Sequence, residues 1–216
     1  MNLQNIFTKY NFKTGDILLF EHINQSKTIS DYLFNFIDNT IKWISNSKYN
    51  HVGMIIHNPP WNTELKGYYL LESNQETIKD SEDHKLKIGV QLIPLEYVLQ
   101  EKYNRLYLRR LHCERNEDFN KKLINIHKFI HNKPYDFDLI DWIKAALHID
   151  KPDTKNEQKT NTFWCSALVS FVMCKLGFLN KDIPWSVISP KQLGTEDKKT
   201  NLQFINCKID DEIEIN

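Results

Sequence analysis

The stretch NTFWCSALVSFVMCKLG (161–177) contains a cysteine at the point where an apolar helix is predicted to begin. Asn161 or Thr162 is a suitable N-cap, which would put Cys165 in the first turn. The helix dipole and the unpaired N–H groups of that turn favour a thiolate, and they can also bind an oxyanion formed on a carbonyl. Cys174 lies deeper in the same apolar run and is predicted to be structural. Because free cysteine is often simply buried, position alone leaves both roles open for Cys165.

A nucleophilic cysteine needs a base, usually a histidine that a third polar group orients. His51 opens the predicted strand HVGMIIH, and Glu72 closes the predicted strand YYLLES. If these strands form an antiparallel hairpin that pairs Ile55 with Tyr68, His51 lies directly opposite Glu72. A one-residue slip would separate the two, and an ordinary polar pair at a strand end is the alternative interpretation. Only the combination of Cys165, His51 and Glu72 indicates acyl transfer through a thioester.

The other histidines give weaker indications of a functional role. His127 and His131 are four residues apart on a predicted helix, a spacing that suits two metal ligands. No third ligand is evident, so we expect a polar flank of an amphipathic helix, with no metal and no cofactor. His57 is predicted to lie in a loop mouth. The remaining histidines are predicted to be surface residues: His22, His84, His112 and His148.

The elements that would position these residues follow from hydrophobic periodicity. The predicted strands are DILLF (16–20), HVGMIIH (51–57), YYLLES (68–73), GVQLIPL (89–95) and RLYLRRL (105–111). The predicted helices cover 30–46, 95–102, 117–131, 136–147 and the stretch from Cys165 to Gly177. Residues 151–162 form a polar loop, and the tail 195–216 receives no assignment. Strands cluster early and helices late, which predicts an α+β fold. We expect a single domain over 1–216, with its core at about 14–194.

Composition limits the classes of function. The chain has 28 Lys and Arg against 28 Asp and Glu, so it has no net positive charge to attract nucleic acid. No apolar run approaches the roughly 18 residues of a membrane span, and the N-terminus lacks the apolar core of a secretory signal. The four cysteines show no CxxC spacing, so free thiols in a cytoplasmic protein are expected.

Taken in order, several motifs resemble one family. They are TGDILLF, YNHVGMII, YYLLES, NKPYD, FWCSALVSFVMCKLG and SPKQL, and they run from about Thr14 to Leu193. Together they resemble the circularly permuted branch of the NlpC-type papain-like cysteine peptidase superfamily. That branch includes YiiX-like proteins, lecithin–retinol acyltransferase relatives and proteins of large DNA viruses. The resemblance implies a small antiparallel sheet or half-barrel packed against helices, with the histidine strand before the cysteine helix.

The resemblance also implies roles for individual residues. Cys165 matches the nucleophile, His51 the base, and Glu72 the polar residue that orients the base. Tyr135 in NKPYD matches a tyrosine near the substrate or the oxyanion, and it is carried as a substrate-binding candidate. Apart from the resemblance, Trp164 beside the nucleophile is a second substrate-binding candidate that could line the pocket, with packing in the core as the alternative.

The resulting hypothesis is a cysteine hydrolase, a peptidase or amidase, that acts on a peptide-like amide through a thioester. A lipid acyltransferase or phospholipase-like acyl hydrolase would use the same three residues and stays open as an alternative. A non-catalytic binding protein on this fold is a further alternative, virion-associated if the chain is viral. One departure from the family pattern is Ala167, where many relatives have a glutamate.

Overall fold

A computed structural model describes residues 2–22, 47–75, 78–100, 104–136, 160–196 and 202–215. The predicted helix 30–46, nearly all of the predicted helix 136–147 and most of the loop 151–162 lie outside these ranges. The α+β class is confirmed. Within the described ranges, no helix has both the length and the hydropathy to cross a bilayer.

The centre of the fold is a six-stranded antiparallel sheet. Its strands are β1 (Ile17–His22), β2 (His51–His57), β3 (Tyr68–Gln75), β4 (Ile88–Pro94), β5 (Asn104–Arg109) and β8 (Ile213–Glu214). Their spatial order is β4-β3-β2-β1-β5-β8. A two-stranded ribbon pairs β6 (Leu111–His112) with β7 (Lys208–Ile209). The stretch predicted as one strand at 105–111 is therefore divided between β5 and β6, which belong to different sheets.

Helices cover both faces of the sheet. They are α1 (Leu3–Tyr10), α2 (Leu95–Gln100), α3 (Glu117–Ile130), α4 (Cys165–Leu176) and the short α5 (Pro190–Leu193), with a 3₁₀ turn at Trp185–Val187. No sequence pattern had predicted α1. Asn2 caps it through its side chain, and Ile6 and Tyr10 are its buried residues. Two buried positions four residues apart are too few for periodicity to reveal a helix.

The alternation of side chains along β2 shows how the two faces are filled. Val52, Met54 and Ile56 belong to the larger apolar cluster, which also contains the buried faces of α3 and α4. Ile55 points the other way, into a smaller cluster that includes residues of α1 and α2. Because both faces of β2 are covered, the register of its neighbours is strongly specified.

The TGD motif is structural. The Asp16 carboxylate accepts a 2.9 Å hydrogen bond from the N–H of Lys13 and another from the N–H of Leu111. Burial raises the pKa of Asp16 above its ordinary value, although these bonds and the charges of Arg110 and Arg115 act in the opposite direction. Asp16 therefore joins the segment before β1 to the start of β6.

The C-terminal tail, unassigned from the sequence, is anchored by Glu212. Its carboxylate accepts hydrogen bonds from the hydroxyls of Tyr49, at 2.7 Å, and Thr195, at 2.6 Å. Arg109, 6% exposed, donates from Nη1 to the carbonyl of Leu193 and from Nε to the carbonyl of Asp210. These contacts hold the tail against β5 and α5, so the tail is part of the fold.

Candidate active site

The first turn of α4 presents Cys165. The helix begins at Cys165, and its N-cap is Trp164, which makes no side-chain capping bond. The prediction of Asn161 or Thr162 as the cap is wrong, because the chain is still extended at Trp164 (φ −92°, ψ 169°) and turns helical only after it. The predicted first-turn position of Cys165 is confirmed. The first N–H groups of a helix have no partner within it, so this turn retains donors that suit an anion.

The β2–β3 register differs from the predicted one. Met54 pairs with Leu71 and Ile55 with Leu70, so the pairing of Ile55 with Tyr68 is wrong by two residues. Continued by one residue, this register puts Gly53 opposite Glu72. His51 is two residues further along β2, so it lies diagonally across from Glu72. The loop between the strands determines this offset, and residue alternation could not. An even shift keeps both side chains on one face of the sheet, because the side-chain period is two.

His51 and Glu72 remain in direct contact across that diagonal. Nε2 of His51 lies 2.6 Å from Oε2 of Glu72, and the two side chains are 8% and 1% exposed. The other carboxylate oxygen of Glu72 accepts a 3.1 Å hydrogen bond from the amide of Gln91 on β4, the residue directly paired with it. Glu72 is thus held from two sides, and the predicted proximity of His51 and Glu72 is confirmed.

The surroundings of His51 favour its charged form. Burial by itself lowers the pKa of an imidazole, but the charge of Cys165, a hydrogen bond to Cys165 and the contact with Glu72 together hold the pKa of His51 well above its ordinary value. The ring of Phe20 packs edge-on at 4.9 Å between centroids. Because Glu72 occupies Nε2, the nitrogen left for the thiol is Nδ1. The group can therefore hold a thiolate–imidazolium pair.

The other cysteines have different environments. Burial raises the pKa of Cys174 to about 11, with Lys175 opposing it only in part. Burial also raises the pKa of Cys207 to about 11 and that of Cys113 above its ordinary value. Burial and neighbouring Lys, Arg, Asp or Cys side chains set the pKa of these three thiols, whereas Cys165 is hydrogen-bonded to His51.

Tyr135 lies next to the segment that leads into α4. It forms a parallel bridge with Phe163, and the N–H of Phe163 donates to the carbonyl of Pro134. The preceding residues are held against β4 at Gly89, which bridges to Pro134: with φ at +143°, an added Cβ would lie 2.3 Å from the carbonyl of Lys133. Tyr135 is thus paired with a residue that lies two positions before Cys165 in the sequence. Its role as a substrate-binding residue stays a prediction.

Trp164 is 3% exposed, and its indole N–H donates to the carbonyl of Ser186 at 2.9 Å. These contacts fix the side chain within the core beside the 3₁₀ turn. Its assignment to substrate binding stays a prediction.

Two polar residues near the predicted site residues were missed. Gln91 carried a weak signal, since it is the one polar residue in the middle of the apolar run GVQLIPL. Glu82 carried no signal in the sequence, because it lies in a polar turn. In the structure, Oε2 of Glu82 is 3.0 Å from Nε2 of His127 and 3.4 Å from Nδ1 of His131. A third side chain with a potential ligand atom therefore lies beside the two histidines, contrary to the expectation from the sequence.

Comparison with known proteins gives one informative result. No protein-family model matches the chain, and no curated protein matches it. Among solved structures, the fold is similar to the crystal structure of the metalloprotein YiiX from Escherichia coli O157:H7, with a TM-score of 0.51 and 17% sequence identity. The match covers 93% of this chain and 97% of that one. At this identity the similarity shows a shared fold.

Proposed function

We propose that the protein is a cysteine hydrolase of the permuted papain-like type, with Cys165 as nucleophile, His51 as base and Glu72 as the residue that orients the base. The observation that carries the proposal is the buried His51–Glu72 pair at 2.6 Å, whose imidazole is also hydrogen-bonded to Cys165, the first residue of a helix. The similarity to YiiX supports the fold on which this arrangement is built.

In the proposed mechanism, Nδ1 of His51 takes the proton of the Cys165 thiol, and the thiolate attacks the carbonyl carbon of the substrate. The negative charge that develops on the carbonyl oxygen is stabilised by N–H groups of the first turn of α4. The imidazolium then protonates the leaving group, and a thioester forms on Cys165. Water, activated by His51, hydrolyses the thioester and restores the thiol. The Glu72 carboxylate orients the imidazole and stabilises the imidazolium.

The proposed substrate is a peptide-like amide. The same residues could transfer an acyl group from a lipid ester, and the acceptor in that case could be water or an amine. Matched amide and ester substrates that share one acyl group separate these reactions, because their thioester is common and only the leaving group differs.

The test is to capture the thioester. We expect the intact mass of the protein to rise by one acyl group on rapid quenching with substrate, and peptide mapping to assign it to Cys165. Cys165→Ala should abolish both the adduct and turnover. Cys174→Ala is the matched control, since that thiol lies on the same helix and has a raised pKa; it should retain both.

Three outcomes of this experiment distinguish the candidate functions. An adduct on Cys165 with amide turnover supports the proposal, and turnover of the ester alone supports the lipid acyl hydrolase. No adduct and no turnover with a panel of amides and esters, in a protein whose Cys165 is alkylated no faster than Cys174, would reject an activated nucleophile.

A further inference from the structure

Two segments far apart in the chain meet at His127, on α3, and His131, its C-cap residue. One is the turn that holds Glu82, and the other is the loop between β2 and β3, which contributes Trp61. The side chains of Glu82 and His127 are each 11% exposed, whereas that of His131 is 33% exposed. The site is therefore mostly enclosed but open to solvent on the His131 side.

The donor atoms have the spacing of metal ligands. Oε2 of Glu82 is 3.0 Å from Nε2 of His127 and 3.4 Å from Nδ1 of His131, and all three atoms lie within 4.8 Å of one another. Around a tetrahedral Zn²⁺ with bonds of about 2.0–2.2 Å, neighbouring donors lie roughly 3.3–3.6 Å apart. The two carboxylate–imidazole distances are already close to this range, and the imidazole–imidazole distance is no more than 4.8 Å, so the cluster is near the geometry of a three-ligand set.

The carboxylate is held in place by its surroundings. The indole N–H of Trp61 donates to Oε1 of Glu82 at 2.9 Å, which directs Oε2 toward the histidines. The same indole stacks on the ring of His127, with centroids 4.1 Å apart and planes within 8°. Buried Asp80 accepts the backbone N–H of Glu82 at 2.7 Å, so the turn is fixed as well. Such outer contacts are what orients the ligands of metal sites.

We propose that Glu82, His127 and His131 bind a divalent transition-metal ion of the zinc class, with water in the fourth position. Two imidazoles and one carboxylate suit such an ion better than Mg²⁺ or Ca²⁺, which take oxygen ligands. The helix sequence between the histidines is HKFIH, with Lys128 following the first of them. It lacks the glutamate that serves as general base in metalloproteases with this histidine spacing. The ion would therefore tie α3 to the turn and the loop, separately from the chemistry of Cys165.

The test uses the full chain in a Cys165→Ala background, so that the thiol of the candidate active site cannot supply a ligand. Zn²⁺ is titrated by calorimetry against a competing chelator. We expect one equivalent of Zn²⁺ and a higher melting temperature when it is present. His131→Ala and Glu82→Gln should each weaken the affinity by more than about 100-fold, and Trp61→Phe, which keeps an aromatic ring but removes the N–H donor, by about 10–100-fold.

The matched control is His112→Ala. His112 also lies close to a carboxylate, at 2.6 Å from Asp210, but the described residues place no third ligand beside that pair. This variant should bind Zn²⁺ as tightly as its parent. A Co²⁺ complex should show d–d bands without a thiolate charge-transfer band. Equal Zn²⁺ affinity in the parent and in both His131→Ala and Glu82→Gln would overturn the proposal, as would a thiolate band. Retention of affinity in Trp61→Phe would overturn the positioning role of Trp61.

Discussion

Replacing Glu72 with Gln tests the central electrostatic argument. The substitution keeps the size of the side chain and an oxygen that can accept from Nε2 of His51, but it removes the negative charge. The pair is almost fully buried, so solvent screens this charge very little. We therefore expect the pKa of His51 to fall and the thiolate–imidazolium pair with Cys165 to become less populated.

The magnitude follows from the type of hydrogen bond lost. A hydrogen bond to a charged partner contributes about 1.5–3 kcal/mol, and one between neutral partners about 0.5–1.5 kcal/mol. The difference, roughly 1–1.5 kcal/mol, corresponds to a factor of about ten in an equilibrium constant. At a fixed neutral pH, alkylation of Cys165 should therefore be about tenfold slower in Glu72→Gln than in the unmodified chain.

The assay is the rate of iodoacetamide labelling, followed by mass spectrometry of the peptide that contains Cys165. The peptide that contains Cys174 provides an internal reference, because its thiol has no contact with the pair and should label at the same slow rate in both proteins. Circular dichroism before labelling establishes that the variant is folded.

A matched variant tests whether burial of the pair, and not only the short contact distance, is what affects the reactivity of Cys165. His112 and Asp210 also approach to 2.6 Å, but their side chains are 48% and 39% exposed. Asp210→Asn should leave the labelling rate of Cys165 unchanged. If Glu72→Gln labels Cys165 at the unmodified rate, the carboxylate does not stabilise the imidazolium and the argument from buried charge is wrong.

Three further perturbations probe how the fold supports the site. Gln91→Leu removes the donor to Glu72, so we expect the free energy of unfolding in urea to fall by about 1.5–3 kcal/mol. Gly89→Ala forces a methyl group to within 2.3 Å of the carbonyl of Lys133 at φ +143°, and urea unfolding should show a loss of more than about 1 kcal/mol. Burial raises the pKa of Glu212, but its hydrogen bonds lower the pKa by more, so the net pKa lies below the ordinary 4.5. Its contribution to stability is present above that value and lost as pH falls through the lowered pKa; unfolding of Glu212→Gln in urea at a series of acidic pH values should lack this part of the pH dependence.

Each of these predictions can be contradicted by a specific result, and Gly89→Ala also has a matched control variant. Gly67→Ala has a similarly positive φ of +95° but no atom within 4 Å of the added Cβ, so its cost should be smaller than that of Gly89→Ala. Equal costs would mean that the close approach at Gly89 is unimportant. Unfolding of Gln91→Leu at the unmodified midpoint would show that the bond to Glu72 is replaced by another. An unchanged acid limb in Glu212→Gln would assign that limb to other carboxylates.

Much of the fold was predictable because its signals are local. The strands β1 to β4, the helix α3 and the apolar helix α4 each have a run of apolar residues whose period indicates the element. Cys165 falls in the first turn of α4 with either predicted cap and with the observed cap Trp164, because all three candidates lie within four residues before it. The tail around Glu212 has no such pattern, since single long-range contacts hold it.

Some features of the candidate site were likewise predictable from the sequence, and others depend on tertiary contacts. From the sequence by itself came the residue types and the face that His51 and Glu72 share, since side-chain alternation survives a register shift of two. Only the tertiary structure decided that the pair meets on the diagonal, that Gln91 holds the second oxygen of Glu72, and that Glu82 joins His127 and His131. Those facts depend on loop lengths and on the packing of strands against helices. A linear pattern carries no information about distances between segments, and these contacts are set by such distances.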